Sequence, residues 1–259
     1  MKVTKFIMGM PIIVEVVDRS VLKKDLEEVF AWFRRVDRQF SPYKKTSEVS
    51  RLNRKEITFA QASAEMREVL VLAEKAKQET QGYFDVTARG FFDPSGIVKS
   101  WAIEKASQLL QEKGLARFYI NAGGDIQVSG RNAQDADWLV GIRHPFIQDK
   151  IVKTVRIPGA IATSGTYLRG DHIYDPHRKG ILKPASARDY LLRGAQDDNL
   201  VSLSVIAGDI VTADVLATAS FAMGRSGIMF LEKTADVEGY MIDRQGTATY
   251  TTGFEKYVV

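Results

Sequence analysis

Apolar side chains in the first half of the chain recur every three or four residues in three stretches, 20–40, 63–81 and 100–113. This spacing places them on one face of an α-helix, so each stretch is predicted to be an amphipathic helix. Ser20 has the side chain of an N-cap, and Gly82 and Gly114 follow the second and third stretches as stop signals.

Shorter apolar runs, separated by glycine or polar turns, fill most of the remaining chain and are typical of β-strands. The apolar N-terminal segment 1–17 is predicted to be a strand rather than a signal peptide. Gly9, Pro11 and Glu15 interrupt it, and no small-residue cleavage site follows. The other predicted strands are 117–121, 125–129, 138–142, 152–157, 160–164, 200–207, 239–243 and 247–251, and two further helices are predicted at 212–223 and 226–233.

Helices and strands are mixed without a regular strand–helix alternation, which predicts an α+β fold with flanking helices. No low-complexity linker divides the chain, so we predict one domain, residues 1–259, with two lobes. No run of about 18 apolar residues is present, so no membrane span is predicted and a cytoplasmic location is expected.

The amino-acid composition excludes several kinds of functional site. The chain has no cysteine, which excludes disulfides, zinc–thiolate sites and thiol catalysis. Its net charge of +4, without a dense Lys/Arg tract, suits an anionic small ligand but does not indicate nucleic acid. The three histidines lack a paired metal-ligand spacing, which argues against zinc.

Asp214 and Thr218 lie four residues apart on a predicted helix, so both side chains share one face. A carboxylate and a hydroxyl placed in this way can bind a hard cation such as Mg²⁺, which prefers oxygen ligands. The alternative is that Thr212 or Asp214 is an N-cap of the helix.

Two glycine-containing turns could approach a phosphorylated ligand. The turn at 93–99 precedes the third predicted helix, where Gly96 permits close backbone approach and Lys99 could reach a phosphate. The turn at 121–125, Asn-Ala-Gly-Gly-Asp, lies between two predicted strands and is not a dinucleotide-binding fingerprint. The structural alternatives are an ordinary helix connection and an ordinary hairpin.

Two further features could serve catalysis or ligand binding. His172 stands beside an Asp-Pro turn and could accept a proton from an attacking hydroxyl, although a lone histidine is more often a surface residue. The aromatic segment 82–87 and Tyr43 could pack against a flat ring, although such aromatics are more often part of a core.

Read in order, eight segments resemble the motifs of the ApbE family, the FAD:protein FMN transferases. Asn121 to Asp125 match the family's Asn-x-Gly-Gly-Asp, and 213–218 resemble Ala-Asp-x-x-x-Thr. The resemblance extends from about residue 8 to 224 and implies an ApbE-like, T-fold-like architecture. The eight segments are 8–9, 40–53, 82–87, 93–99, 121–125, 162–165, 172–176 and 213–218.

The resemblance implies a role for each matching residue. The flavin nucleotide would be bound by Met8, Tyr43, Tyr83, Phe84, Asp85, Asp93, Lys99 and Tyr174. Mg²⁺ would be held by Asp214, Thr218 and the backbone oxygen of Gly96, and His172 would be the base. The implied reaction moves FMN from FAD to a threonine or serine hydroxyl of an acceptor flavoprotein, with release of AMP.

Other interpretations stay open at this stage. Water instead of the acceptor hydroxyl would make the chain an FAD pyrophosphatase. Pro94-Ser95 and Trp101 depart from the family pattern, which could leave a non-catalytic FAD-binding protein. The usual exported lipoprotein start is missing, which implies an intracellular acceptor carrying a Ser/Thr flavinylation motif. The sequence decides neither the identity of the acceptor nor whether the protein is a homodimer.

Overall fold

The computed structural model describes residues 1–166, 176–177 and 200–259. Its centre is an eight-stranded sheet in the order β1-β2-β3-β4-β7-β8-β9-β10, in which each pair of neighbours is antiparallel. β5 and β6 form a separate antiparallel pair. The strands are β1 Lys2–Ile7, β2 Met10–Val16, β3 Phe118–Ala122, β4 Asp125–Ser129, β5 Leu139–Arg143, β6 Ile151–Arg156, β7 Ala160–Gly165, β8 Leu200–Ala207, β9 Glu238–Asp243 and β10 Ala248–Tyr250.

Helices cover one face of the large sheet. Within the described residues the α-helices are α1 Lys23–Phe40, α2 Glu48–Asn53, α3 Ala64–Glu79, α4 Ser95–Glu112, α5 Ile210–Ala222 and α6 Ser226–Glu232. α4 packs against α1 and α5, and α5 lies on β7 and β8. The ring of Trp101, on α4, is buried with its centroid 5.2 Å from those of Trp32 and Phe40.

A second hydrophobic core lies on the opposite face of the sheet. Ala160 and Ala162 belong to the helical core, whereas Ile161 between them belongs to the second core, as the period-two alternation of a strand requires. This second core also contains Val140 and Val155 of the small β5–β6 sheet. The layered arrangement confirms the predicted α+β class.

The predicted single N-terminal strand is two strands. Ile7 pairs with Met10, which leaves a two-residue turn formed by Met8 and Gly9. Their φ values are 56° and 73°, the left-handed combination that reverses a hairpin within two residues. Because methionine rarely adopts positive φ, the sequence pattern did not reveal this turn.

Two helix starts differ from the predictions. α1 begins at Lys23, where the Asp25 carboxylate accepts a hydrogen bond of 2.8 Å from the Leu22 N–H, so the Ser20 N-cap was wrong. α4 begins at Ser95, five residues before the predicted start, so Lys99 lies within the helix rather than in a turn. Among the described residues, no helix is long and apolar enough to cross a bilayer.

Candidate active site

The structure brings Lys99 between two acidic side chains that are distant in sequence. The Lys99 ammonium forms an ion pair with Asp125, and its Nζ lies 3.8 Å from Oδ1 of Asp214. The exposed fractions of these three side chains are 16%, 2% and 7%, so water screens their charges only weakly. This buried charge cluster, Lys99, Asp125 and Asp214, is the centre of the candidate site.

The β3–β4 turn positions the Asp125 carboxylate. Gly123 and Gly124 have φ values of 64° and 106°, and the Asn121 side chain accepts a hydrogen bond of 2.9 Å from the Gly124 N–H. Asp125 then opens β4, and its Oδ1 accepts a longer bond of 3.4 Å from the N–H of Thr163 on β7. The glycine turn therefore directs a buried carboxylate toward α4.

Helix α5 carries the predicted metal-binding pair. Asp209 is the N-cap of α5, and its Oδ1 accepts a hydrogen bond of 2.8 Å from the Thr212 N–H. The interpretation of Thr212 or Asp214 as the N-cap was therefore wrong. The Thr218 hydroxyl lies 3.2 Å from the hydroxyl of Ser164, near the end of β7.

The oxygen atoms near this cluster are of the chemical types that bind Mg²⁺. Asp214 offers a carboxylate, Thr218 a hydroxyl, and Gly96, in the first turn of α4, a carbonyl. Mg²⁺ commonly keeps several waters and takes only one or two carboxylates together with substrate phosphates. Within the described residues no group of three His, Cys, Asp or Glu side chains could hold a metal alone. The donor set thus fits a cation bound jointly with a phosphorylated ligand, and the metal assignment stays a prediction.

Gly96 also permits close packing of the aromatic segment 82–87. A Cβ atom at Gly96 would lie 3.3 Å from Cε2 of Phe84, whose side chain is buried. The Phe84 ring therefore supports the start of α4. The Thr80 hydroxyl accepts a hydrogen bond of 3.0 Å from the Phe84 N–H and fixes the backbone of this segment.

Asp85 is held by a lysine and a threonine. Lys77 Nζ lies 2.9 Å from its carboxylate, and the N–H and hydroxyl of Thr87 donate bonds of 2.8 and 2.7 Å to Oδ1. Burial acts to raise the pKa of Asp85, but the hydrogen bonds from Lys77 and Thr87 outweigh it, so the pKa lies below its ordinary value. Asp85 is thus an anion that orders the segment.

A lowered pKa makes the contribution of Asp85 to stability dependent on pH. The contribution is present above the unfolded-state pKa and is lost as the pH falls through the folded-state pKa. We expect Asp85→Asn to lower the free energy of unfolding by about 1 kcal/mol or less at pH 7. The difference from wild type should shrink below about pH 4. Denaturant unfolding at pH 7 and pH 3 measures this, and an equal difference at both values would contradict it.

Of the other predicted ligand-binding residues, those that the structure describes lie in turns and at the start of α4. Tyr43 is 93% exposed in the turn after α1, and Met8 is half-buried in the β1–β2 turn. Asp93 precedes α4 and accepts hydrogen bonds from the N–H and hydroxyl of Ser95. Its carboxylate therefore occupies the helix N-terminus where an anion was expected. The predicted residues His172 and Tyr174 lie outside the described residues.

Three residues near the predicted site were not among the predicted ligands. Asp125 and Ser164 lie within the quoted motifs, but their roles depend on tertiary contacts with α4 and α5. His177 was not assigned a role from the sequence. Its ring centroid lies 4.6 Å from that of Tyr83, and its Nε2 lies 3.0 Å from the Gln81 carbonyl oxygen. Only its position after the Asp-Pro turn could have indicated this contact.

Comparison with known proteins identifies the class. A model of the ApbE family matches residues 8–93 and 88–241, and the chain belongs to this family. An FAD:protein FMN transferase of Vibrio cholerae is 28% identical over 172 residues, which cover 64% of this chain and 47% of the relative. A protein of the same name from Haemophilus influenzae is 21% identical over 276 residues, covering 86% and 79%.

Solved structures confirm the ApbE-like fold. The flavin transferase ApbE from Vibrio cholerae superposes with a TM-score of 0.81 at 22% identity, covering 99% of this chain and 98% of the other. The apbe protein from Thermotoga maritima gives 0.82 at 19% identity, with 99% and 98% coverage. In the Vibrio cholerae, Salmonella typhimurium and Escherichia coli sequence matches, the chain spans about half the length of these curated relatives.

Proposed function

We propose that this chain is a Mg²⁺-dependent FAD:protein FMN transferase. It would move FMN from FAD to a threonine or serine hydroxyl of an acceptor flavoprotein and release AMP. The observation that carries the proposal is the buried charge cluster, because in a chain of the ApbE family it sets a lysine beside a carboxylate suited to Mg²⁺. The names of the sequence relatives support the same activity.

The cluster supplies groups that suit a diphosphate. Lys99 would bind a phosphate oxygen of FAD, since it is a compact cation on a rigid helix. Asp214, Thr218 and the Gly96 carbonyl would hold Mg²⁺ beside it. When bound, the ion would neutralise the charge that develops on the departing AMP phosphate.

The proposed reaction is a phosphoryl transfer with one bond formed and one broken. The acceptor hydroxyl oxygen would form a bond to the phosphorus on the FMN side of the diphosphate. The bond from that phosphorus to the bridging oxygen would break, and the bridging oxygen would leave with AMP. The hydroxyl proton would pass to a base, for which His172 is our assignment.

The flavin end would lie toward the residues around the cluster. Tyr43 presents an exposed ring and Met8 a half-buried side chain, both suited to an aromatic ligand. Tyr83 and Asp85 belong to a segment fixed by Phe84, and Asp93 lies at the start of α4. Tyr174 completes the proposed set of FAD-binding residues.

An assay of FAD cleavage tests the proposal. Purified protein is incubated with FAD and a domain that carries a Ser/Thr flavinylation motif, with MgCl₂ or with EDTA. We expect AMP release and a mass gain of one FMN on the acceptor only with Mg²⁺. AMP and free FMN without labelled acceptor would instead indicate a pyrophosphatase. FAD that stays intact under every condition would indicate a binding protein.

A further inference from the structure

We propose that Asp125 is a positioning residue that sets the metal affinity of the site by restraining Lys99. This inference rests on the proposed function and deepens it. Asp125 belongs neither to α4 nor to α5, yet its buried carboxylate pairs with the lysine that also approaches Asp214. It is thus a second anion beside the Lys99 ammonium.

The geometry gives Asp125 the stronger hold on Lys99. Their charged groups are in direct contact, whereas Lys99 Nζ lies 3.8 Å from Asp214 Oδ1. A bond of 3.4 Å from the Thr163 N–H to Asp125 Oδ1 restrains the carboxylate on the β4–β7 side. Asp125 therefore holds the ammonium closer to its own carboxylate than to that of Asp214.

Charge accounting leads to the same conclusion. The three side chains carry a net charge of one negative unit, from two aspartates and one lysine. Neutralising Asp125 would bring that net charge to zero and would let Lys99 approach Asp214 more closely. Both changes disfavour a divalent cation, and the loss of one negative charge favours an anionic diphosphate, because the interactions act across a poorly screened interior.

The test measures binding rather than turnover. Mn²⁺ serves as the metal probe and is titrated by electron paramagnetic resonance into protein loaded with FAD, without acceptor. FAD affinity is measured separately in EDTA by quenching of flavin fluorescence. For Asp125→Asn we expect Mn²⁺ affinity to fall about tenfold or more, a common size for coupling between sites. FAD affinity in EDTA should stay equal or rise.

Opposite responses to metal and to FAD separate positioning from damage to the fold. If Asp125 had only a structural role, Asp125→Asn would lower the affinities for Mn²⁺ and for FAD together, and that result would overturn the inference. Unchanged Mn²⁺ affinity would overturn it as well. In the double variant Asp125→Asn/Lys99→Met, Mn²⁺ affinity should return toward the wild-type value, because the cation that competes for Asp214 is gone.

A matched control is available in the chain. Asp25 is also a buried aspartate beside a lysine, with Lys113 Nζ 3.5 Å from its Oδ1, but it lies on α1. Asp25→Asn should leave Mn²⁺ affinity unchanged. Asp214→Asn should abolish Mn²⁺ binding. If Asp214→Asn binds Mn²⁺ as wild type does, the metal assignment fails together with this inference, whereas failure of Asp125→Asn alone leaves the proposed function intact.

Discussion

Replacing Asp214 by asparagine is expected to slow AMP release from FAD about 10²- to 10³-fold, the usual effect of removing one charge-stabilising group from a transition state. The amide keeps the shape of the side chain but not its charge, so it cannot balance a divalent cation. Initial rates at saturating FAD and a fixed MgCl₂ concentration, with the acceptor present, measure the effect. Binding of FAD in EDTA should survive, because Lys99 remains paired with Asp125.

Asp209→Asn is the matched control on the same helix. Asp209 lies five residues before Asp214 and caps α5 by accepting a hydrogen bond from the Thr212 N–H. Loss of the Asp209 carboxylate therefore changes the helix end but not the proposed metal ligands. Asparagine is itself a good N-cap, so we expect the loss of stability to stay below about 1 kcal/mol, with AMP release close to wild type. A wild-type rate and Mg²⁺ response in Asp214→Asn would remove Asp214 from the metal site.

The sequence predicted those features that local pattern determines. The second predicted helix, 63–81, is α3, and the Ser63 side chain caps it by accepting a hydrogen bond from the Met66 N–H. The predicted strand 125–129 matches β4 at both ends. The helical spacing of Asp214 and Thr218 placed both on α5. In each case, residues close in sequence decide the structure.

Features that depend on distant packing were not predictable in the same way. The start of α4 at Ser95 brings Lys99 onto a helix that faces α5, and this orientation comes from burial of residues such as Trp101. The pairing of Lys99 with Asp125 and Asp214 joins β4, α4 and α5. The hydrophobic periodicity of the sequence does not predict contacts between side chains on different elements. Family resemblance named Lys99 and Asp214, but it did not indicate that Asp125 shares the lysine.

Packing of α6 against α5 also helps to hold the candidate site in place. Gly227, in the first turn of α6, lies so close to α5 that a Cβ atom there would be 2.0 Å from the Ser220 carbonyl oxygen. Ser220 is two residues beyond Thr218 on α5. Because the obstacle is backbone, no side chain can rotate to relieve the overlap, and the two helices would have to separate.

Gly227→Ala is therefore expected to destabilise the protein by about 3 kcal/mol, the upper end for overpacking. That corresponds to a melting temperature lower by roughly 6–12 °C. AMP release by the folded protein, measured well below the transition, should also fall, because the shift of α5 moves Thr218 relative to Ser164. Gly227 has no positive φ, so the effect would be steric rather than conformational.

Gly208→Ala provides the comparison for this steric argument. A Cβ atom at Gly208 would meet nothing within 4 Å, and its φ is also outside the left-handed region. The same substitution there should change stability by less than about 1 kcal/mol, or raise it by restricting the unfolded chain. Equal melting temperatures for the two variants would show that α6 does not hold α5 in place. Among the described elements, the geometry of Thr218 would then depend on the packing of α5 against α4, β4, β7 and β8.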